Sequence, residues 1–393
     1  MPLRRRRVRL AALLALGLAL GVGLGWAAWT VGRGGEPGEV RATLSIAQAL
    51  GADATAGFAH AESPRAFAFP RDHGPHREYR IEWWYFTGNL VASAGRRVGV
   101  QLTFFRNALV PTAPVRASAW ATGEVWMAHF ALADVARGRF HAVERLSRGA
   151  LGLAGARATP FRVWVEDWSA EGAGPGDLSL RLRAREGALA VDLALTSERP
   201  PVLHGDRGLS RKGDARGNAS YYYSLTRMAT RGTVEVGGER LEVTGLAWMD
   251  REWSTSTLGG DLAGWDWFAL HLSDGRDVMV YRLRRHDGSA AALSLGTLVA
   301  ADGTSRGLTR DEVEVTALGR WQSARTGRNY PARWRLRIPG EGLDLEVVPH
   351  LPDQELDLTV RYWEGAVAAR GVSRGVPVSG HGYVELVGYG DRP

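Results

Sequence analysis

Cysteine is absent from this 393-residue sequence, and Lys212 is its only lysine. The absence of cysteine excludes disulfide bonds, thiol catalysis and thiolate-ligated zinc. The sequence also lacks a phosphate-binding loop, a dinucleotide-binding fingerprint, a Gly-x-Ser-x-Gly elbow and a His-Glu-x-x-His helix. We therefore expect neither a cofactor nor a metal ion.

The nearest approach to a metal-binding cluster is the pair His73-Gly-Pro-His76, followed by Glu82. Two histidines in a proline-containing loop are a weak indication of zinc. We interpret this segment as a loop that closes one end of a β-barrel. Glu82, next to Trp83 and Trp84, is interpreted as the structural partner of a buried arginine.

The net charge of +7 comes almost entirely from the N-terminus. Six arginines and no acidic residue lie in the first 34 positions, which leaves 43 basic and 42 acidic residues in the rest of the chain. A nucleic-acid-binding protein carries its basic patch on the folded body. We therefore expect no nucleic-acid partner.

An uncharged, apolar run extends from Leu10 to Gly32, directly after the arginine cluster. As a helix of roughly 1.5 Å per residue it is long enough to cross a bilayer. The preceding arginines predict a cytoplasmic N-terminus and a body outside the inner membrane. Residues 1–32 are thus a signal peptide or a membrane anchor. We favour an uncleaved anchor in the inner membrane, because Gly23-Leu24-Gly25 is a poor cleavage site.

The rest of the chain predicts a mainly β protein. Residues 33–74 are a linker with a short helix near 45–50, and from about residue 80 apolar side chains alternate with period two, as in Val98, Val100, Leu102 and Phe104. Turn signals separate many such segments, and no βαβ alternation occurs. The pattern predicts a sandwich or barrels, and barrels of about eight strands can hold a small ligand. We place the first domain at 75–250 and the second at 251–393, with the boundary anywhere from about 228 to 252.

Several tryptophan-rich strings identify a family resemblance. They are Arg80-Ile-Glu-Trp-Trp-Tyr-Phe-Thr-Gly-Asn-Leu90, Ala219-Ser-Tyr-Tyr-Tyr-Ser-Leu-Thr-Arg227, Gly245-Leu-Ala-Trp-Met-Asp-Arg-Glu-Trp253, Gly264-Trp-Asp-Trp-Phe268, Tyr362-Trp-Glu-Gly365 and Gly380-His-Gly-Tyr-Val-Glu385. From about residue 45 to its end, the chain resembles the AttH-like proteins related to carotenoid 1,2-hydratase, which are also described as predicted secreted hydrolases. The resemblance implies two lipocalin-like antiparallel β-barrel domains packed together.

The resemblance also implies a candidate acid. In the carotenoid hydratases, the aspartate of the Trp-x-Asp block is the proposed catalytic acid, and its position here is Asp250. Arg251 stands where those enzymes tend to carry histidine. This departure favours the secreted AttH-like branch over a carotenoid substrate.

Acid chemistry on an apolar ligand requires particular surroundings. A carboxylic acid in an apolar pocket stays neutral and can donate its proton to a C=C bond. Aromatic faces then stabilise the cation that forms. Asp250 has aromatic neighbours in the sequence, and in a strand Trp248 would share its face. The candidate ligand-binding residues are Trp83, Tyr85, Tyr221, Tyr223, Trp248, Trp253, Trp265 and Trp267, with either Tyr222 or its two neighbours facing the cavity.

Three functions are consistent with these observations. The first is an exported protein of the periplasm that binds a lipid or isoprenoid in a β-barrel cavity and carries it. One form of this hypothesis has the protein deliver its ligand to a membrane transporter. The second is a hydratase or hydrolase that acts on such a ligand with Asp250 as general acid. The third is a structural envelope protein whose cavities are filled by tryptophan.

Overall fold

Antiparallel strands make up nearly all the regular structure. The computed structural model describes residues 55–112, 117–172, 179–255 and 258–390. The predicted leader at 1–32 and the predicted helix at 45–50 lie outside these residues. Within the described ranges, no helix combines the length and the apolar character that a membrane crossing requires.

The first sheet has 13 strands in the described residues. They are β1 Ile81–Ala92, β2 Arg97–Ala108, β3 Glu124–Asp134, β4 Arg139–Arg148, β5 Ala154–Ala158, β6 Phe161–Val165, β7 Trp168–Gly172, β8 Ser179–Glu186, β9 Leu189–Ser197, β10 Val202–Leu203, β11 Leu209–Arg211, β12 Ala219–Val236 and β13 Glu239–Ser254.

The second sheet has ten strands in the same described ranges. They are β14 Leu262–Leu272, β15 Asp277–Arg285, β16 Leu295–Val299, β17 Ser305–Thr309, β18 Glu314–Gln322, β19 Asn329–Ile338, β20 Leu343–Pro349, β21 Glu355–Asp357, β22 Arg361–Ser373 and β23 Val376–Leu386. Short 3₁₀ turns occur at Arg71–His73, Ser93–Gly95, Val135–Arg137, Arg310–Glu312 and Pro339–Glu341.

Each sheet pairs its first strand with its last. β1 lies between β2 and β13, and β14 lies between β15 and β23. This pairing curls the two sheets into nearly closed or half barrels and confirms the predicted fold class. The division of the chain at 250 and 251 stays a prediction, and strand β13 runs through it. Both sheets belong to one compact unit, Thr43–Pro393.

The alternating apolar residues fill the inside of each curled sheet. Val98, Val100, Leu102 and Phe104 all lie in the core of the first sheet, as their period-two spacing predicts. The core of the second sheet includes Trp334, and both cores are built from close-packed aliphatic and aromatic side chains. These interiors are therefore hydrophobic cores.

Residues before β1 pack against one end of the first sheet. Phe67 contacts the rings of Tyr221, Tyr223 and Trp253, and the His76 ring stacks on Trp253 with centroids 3.7 Å apart. The segment that carries the two histidines thus covers this end, in agreement with its interpretation as a closing loop.

A buried ion cluster fixes this segment to strands β1, β2 and β13. Glu82 accepts hydrogen bonds from Arg251, from Arg106 at 2.8 Å and from the backbone N–H of His76 at 2.9 Å. Burial alone would raise the pKa of Glu82, but the charge of Arg251 and its other partners hold it well below the usual value. The Arg251 guanidinium also lies 3.9 Å from the centre of the Trp84 ring. Glu82 is therefore the structural partner of a buried arginine.

The buried cluster predicts a large effect of removing one charge. We expect Glu82→Gln to lower the free energy of unfolding by about 3–5 kcal/mol, because Arg251 keeps a buried charge without compensation, whereas Arg106 still pairs with Glu124. Asp192→Asn is the matched control: Asp192 pairs across strands with Arg181, and both side chains are about half exposed. Its loss should stay below about 1 kcal/mol. Urea unfolding at pH 7 measures both, and equal effects would contradict the prediction.

Candidate active site

A cavity of about 160 Å³ lies between the two sheets. The sequence analysis predicted a ligand cavity inside a barrel. In the structure, core side chains occupy both barrel interiors, and the cavity lies between the sheets instead. One water needs roughly 10–15 Å³ of such space, so the cavity has room for one end of an apolar ligand together with water.

Strands β1, β12 and β13 supply one wall of the cavity. Their register places Tyr85 and Ser224 directly beside Asp250 on either side. Because side chains alternate along a strand, Trp83 and Tyr85 point toward the second sheet, as do Asp250 and Tyr222.

The second sheet supplies the other wall. Trp265 and Trp267 on β14 line the cavity, together with Glu364 on β22 and Glu385 on β23. Asp266 lies between the two tryptophans on the opposite face of β14, where it bonds to Arg284 at 2.7 Å. The aromatic side chains of this wall therefore face Asp250 across the interface.

Four of the eight predicted aromatic residues line the cavity, namely Trp83, Tyr85, Trp265 and Trp267. Trp248 is fully buried beside it and donates a hydrogen bond of 2.6 Å from Nε1 to Asp250 Oδ1.

The other three predicted residues do not line the cavity. Tyr221, Tyr223 and Trp253 lie in the cluster at the closed end of the first sheet. The reason is strand parity, since Tyr222 rather than its neighbours faces the cavity, and Trp253 is an odd number of residues from Asp250 along β13. Arg251 also points away from the cavity, so the departure at this position affects the ion cluster and not the cavity wall.

Asp250 accepts three hydrogen bonds. Tyr222 Oη donates to Oδ2 at 2.6 Å, and both Ser224 Oγ and Trp248 Nε1 donate to Oδ1. Burial raises the pKa of Asp250 to about 7, although these three donors lower it. The side chain is only 5% exposed. With a pKa of about 7, it changes its protonation state near neutral pH while it is inside the protein.

Hydrogen bonds tie Asp250 to the second sheet through two routes. Tyr222 Oη accepts from Trp267 Nε1 at 3.1 Å. Ser224 Oγ lies 2.6 Å from His204 Nε2, and His204 Nδ1 lies 2.8 Å from Thr297 Oγ1 on β16. Burial lowers the pKa of His204 to about 3, with the Lys212 charge adding to this, so the imidazole is neutral.

Glu364 and Glu385 form a carboxyl pair opposite Asp250. They are direct cross-strand neighbours on β22 and β23. Burial, followed by the charge of Glu385, raises the pKa of Glu364 well above its usual value. Burial, followed by the charge of Asp250, raises the pKa of Glu385 to about 8. A fourth carboxyl, Glu252, is compensated by Lys212 at 3.0 Å.

Sequence reasoning did not assign a role to Glu364 or Glu385, although both stand in the quoted family strings. A usable signal was present. Tyr362-Trp-Glu364 and Tyr383-Val-Glu385 repeat the aromatic-x-acid spacing of Trp248-Met-Asp250. In a strand this spacing puts an aromatic ring and a carboxyl side by side on one face.

The raised pKa values predict that stability falls as the pH rises. Asp250 and Glu385 bind protons more tightly in the folded chain than in the unfolded chain, so their contribution is complete below about pH 4 and is lost as the pH passes 7 to 8. Glu385→Gln removes one such group, so this variant should gain stability relative to the wild-type chain between pH 5 and 8.5.

Urea unfolding across this pH range measures the difference. The control is Glu346→Gln, which alters an exposed glutamate on β20 that pairs with Arg333. A difference between Glu385→Gln and the wild-type chain that stays constant with pH would contradict the prediction.

Comparisons with known proteins agree with the fold. A crystal structure of an AttH-type protein from Nitrosomonas europaea is similar at 36% identity and a TM-score of 0.75, covering 84% of this chain and all of that one. Kievitone hydratase from Nectria haematococca shares the fold at 18% identity and a TM-score of 0.65, covering 85% of this chain and 97% of that one. CghA in complex with Sch210972 also shares the fold, at 16% identity and a TM-score of 0.52, covering 86% of this chain and 97% of that one.

No curated protein matches the sequence. The sequence model of one family, described as AttH-like, matches residues 60–389. This match spans both sheets and every residue of the cavity, and it confirms the resemblance found in the tryptophan-rich strings. The chain belongs to the AttH-like family.

Proposed function

We propose that the cavity between the sheets binds an apolar, isoprenoid-type ligand and adds water to one of its C=C bonds. The observation that carries the proposal is the group of three carboxyls, Asp250, Glu364 and Glu385, within an aromatic wall. Burial raises the pKa of all three, to about 7 for Asp250 and about 8 for Glu385.

Hydration of an isolated double bond needs a neutral acid close to the carbon that receives the proton. Burial keeps carboxyls in that form. The tertiary cation that follows needs electron-rich surroundings, and a nearby aromatic face contributes roughly 0.5–2 kcal/mol. Trp83, Tyr85, Trp265 and Trp267 are placed to supply such faces.

The name of one structural relative supports this reaction class. Kievitone hydratase shares the fold across nearly its whole length, although its identity of 18% carries no residue-level argument. Within this chain, the argument rests on the carboxyls and their surroundings.

The second candidate is a carrier that binds the same ligand without changing it. The aromatic lining of the cavity favours it, as does the apolar run at 10–32, which suits an exported protein held at the inner membrane beside a transporter. A carrier, however, gains nothing from three buried carboxyls, and burying a carboxyl without compensation is unfavourable. We therefore prefer the enzyme.

Mass spectrometry of the products distinguishes the two. The purified full-length chain is incubated with geraniol, farnesol and squalene, and the extracts are searched for a product heavier by one water. We expect the wild-type chain to form this product and Asp250→Asn to form it at least about 100-fold more slowly, since acid–base groups contribute roughly 10²–10⁴-fold.

Asp192→Asn is the control, because it makes the same chemical change at an exposed site. It should retain the wild-type rate. Recovery of bound but unchanged probe from both the wild-type chain and Asp250→Asn would make the protein a carrier.

A further inference from the structure

The carboxyls on the two walls have opposite surroundings. Asp250, from the first sheet, receives three hydrogen bonds from Tyr222, Ser224 and Trp248. Donors directed at a carboxylate favour its ionised form. The first wall is therefore built to hold a carboxylate.

Glu364, from the second sheet, has weaker support. Its side chain is 1% exposed, and neither of its carboxyl oxygens accepts a well-formed hydrogen bond among the described residues. Burial and Glu385 raise its pKa by more than the neighbouring Tyr85 and Tyr362 hydroxyls lower it. Directly across from it stands Glu385, another carboxyl. Two carboxyls this close cannot both ionise without strong repulsion, so the second wall is built to hold a neutral acid.

We propose that Glu364 is the proton donor of the hydration reaction and that Asp250 is the base that activates the water. This assignment rests on the proposed function and reverses the role that the family resemblance implies for Asp250. It follows the rule that two carboxyls with opposite surroundings divide the acid and base roles between them.

The proposed reaction balances without any other reactant. The O–H bond of Glu364 breaks and a C–H bond forms with the π electrons of the ligand, which leaves a tertiary cation and a Glu364 carboxylate. Water held by Asp250 forms the C–O bond and gives its proton to Asp250. The proton then returns from Asp250 to Glu364 through water in the cavity, and the product is a tertiary alcohol.

The pKa directions agree with these roles. The pKa of Glu364 is raised well above its usual value by burial and by Glu385, whereas the three donors limit that of Asp250 to about 7. At pH 8 Asp250 is therefore mostly ionised, and the direction of the shift at Glu364 favours its protonated form.

Deuterium uptake from D₂O separates the two roles. Geraniol, farnesol and squalene are incubated with each variant at pH 8. We expect Asp250→Asn to lose the water adduct but still to place deuterium on the alkene, because the cation forms and then loses a proton. Glu364→Gln should lose both the adduct and the deuterium, by at least about 100-fold. Loss of deuterium uptake in Asp250→Asn overturns the assignment, as does its retention in Glu364→Gln.

Infrared difference spectra at pH 8 test the assignment without turnover. A buried protonated carboxyl gives a C=O stretch distinct from that of a carboxylate. We expect this band to keep its intensity in Asp250→Asn and to lose most of it in Glu364→Gln, where only Glu385, with a pKa of about 8, still carries protons. A band that disappears in Asp250→Asn instead overturns the assignment. If the band behaves as expected but the wild-type chain changes no probe, the proposed function fails, and with it the catalytic roles, although Glu364 is still the protonated carboxyl.

Two further variants guard against a merely structural effect. Glu364→Gln should be at least as stable as the wild-type chain at pH 8, because it replaces a buried carboxyl that is repelled by Glu385 and has no ion pair among the described residues. Glu385→Gln should still hydrate the probe. As the pH is raised, however, its activity should begin to fall at a lower pH than the activity of the wild-type chain, because Glu364 loses the neighbour that raises its pKa. If the activity of Glu385→Gln and of the wild-type chain falls at the same alkaline pH, the proposed role of the Glu364–Glu385 pair is overturned.

Discussion

The registered pairing of β1 and β12 with β13 is the constraint on which the site depends. Tyr85, Asp250 and Ser224 stand side by side across these three strands. Strand alternation then assigns every other residue of the three strands to one of two environments. The side chains of Trp84 and Arg251 point to the inside of the first sheet, and those of Tyr85 and Asp250 point into the cavity. A shift of one residue would exchange the ion cluster and the site.

Buried carboxyls are paired with arginines on one face of this wall, but Asp250 on the other face is not. On the inner face, Glu82 meets Arg251 and Arg106, so its carboxylate is fully paired. On the cavity face, Asp250 and Glu364 have no basic side chain in an ion pair with them among the described residues. The first arrangement fixes the structure, whereas in the second the pKa values of the two carboxyls are raised.

The location of the cavity explains why polar groups collect there. The inside of each curled sheet is mainly a close-packed apolar core, and the buried carboxyls beside it, Glu82 and Glu355, are paired or hydrogen-bonded. The space between the sheets is lined by hydroxyl, indole and carboxyl groups from both. The proposed chemistry also requires both sheets, since Asp250 and Glu364 come from different sheets.

The sequence by itself determined the class of fold, the strands and much of their burial, because period-two alternation is a local property of the chain. It also identified the family and Glu82 as the partner of a buried arginine, and it drew attention to Asp250 among its aromatic neighbours, because the strings that carry them are contiguous. Only the tertiary structure decided which face of each strand meets the cavity. Tyr222 lines it, and Tyr221, Tyr223 and Trp253 do not, because parity depends on which face packs against the second sheet. The position of Glu364 and Glu385 opposite Asp250 depends on contacts between segments more than 100 residues apart in the chain, which no local pattern encodes.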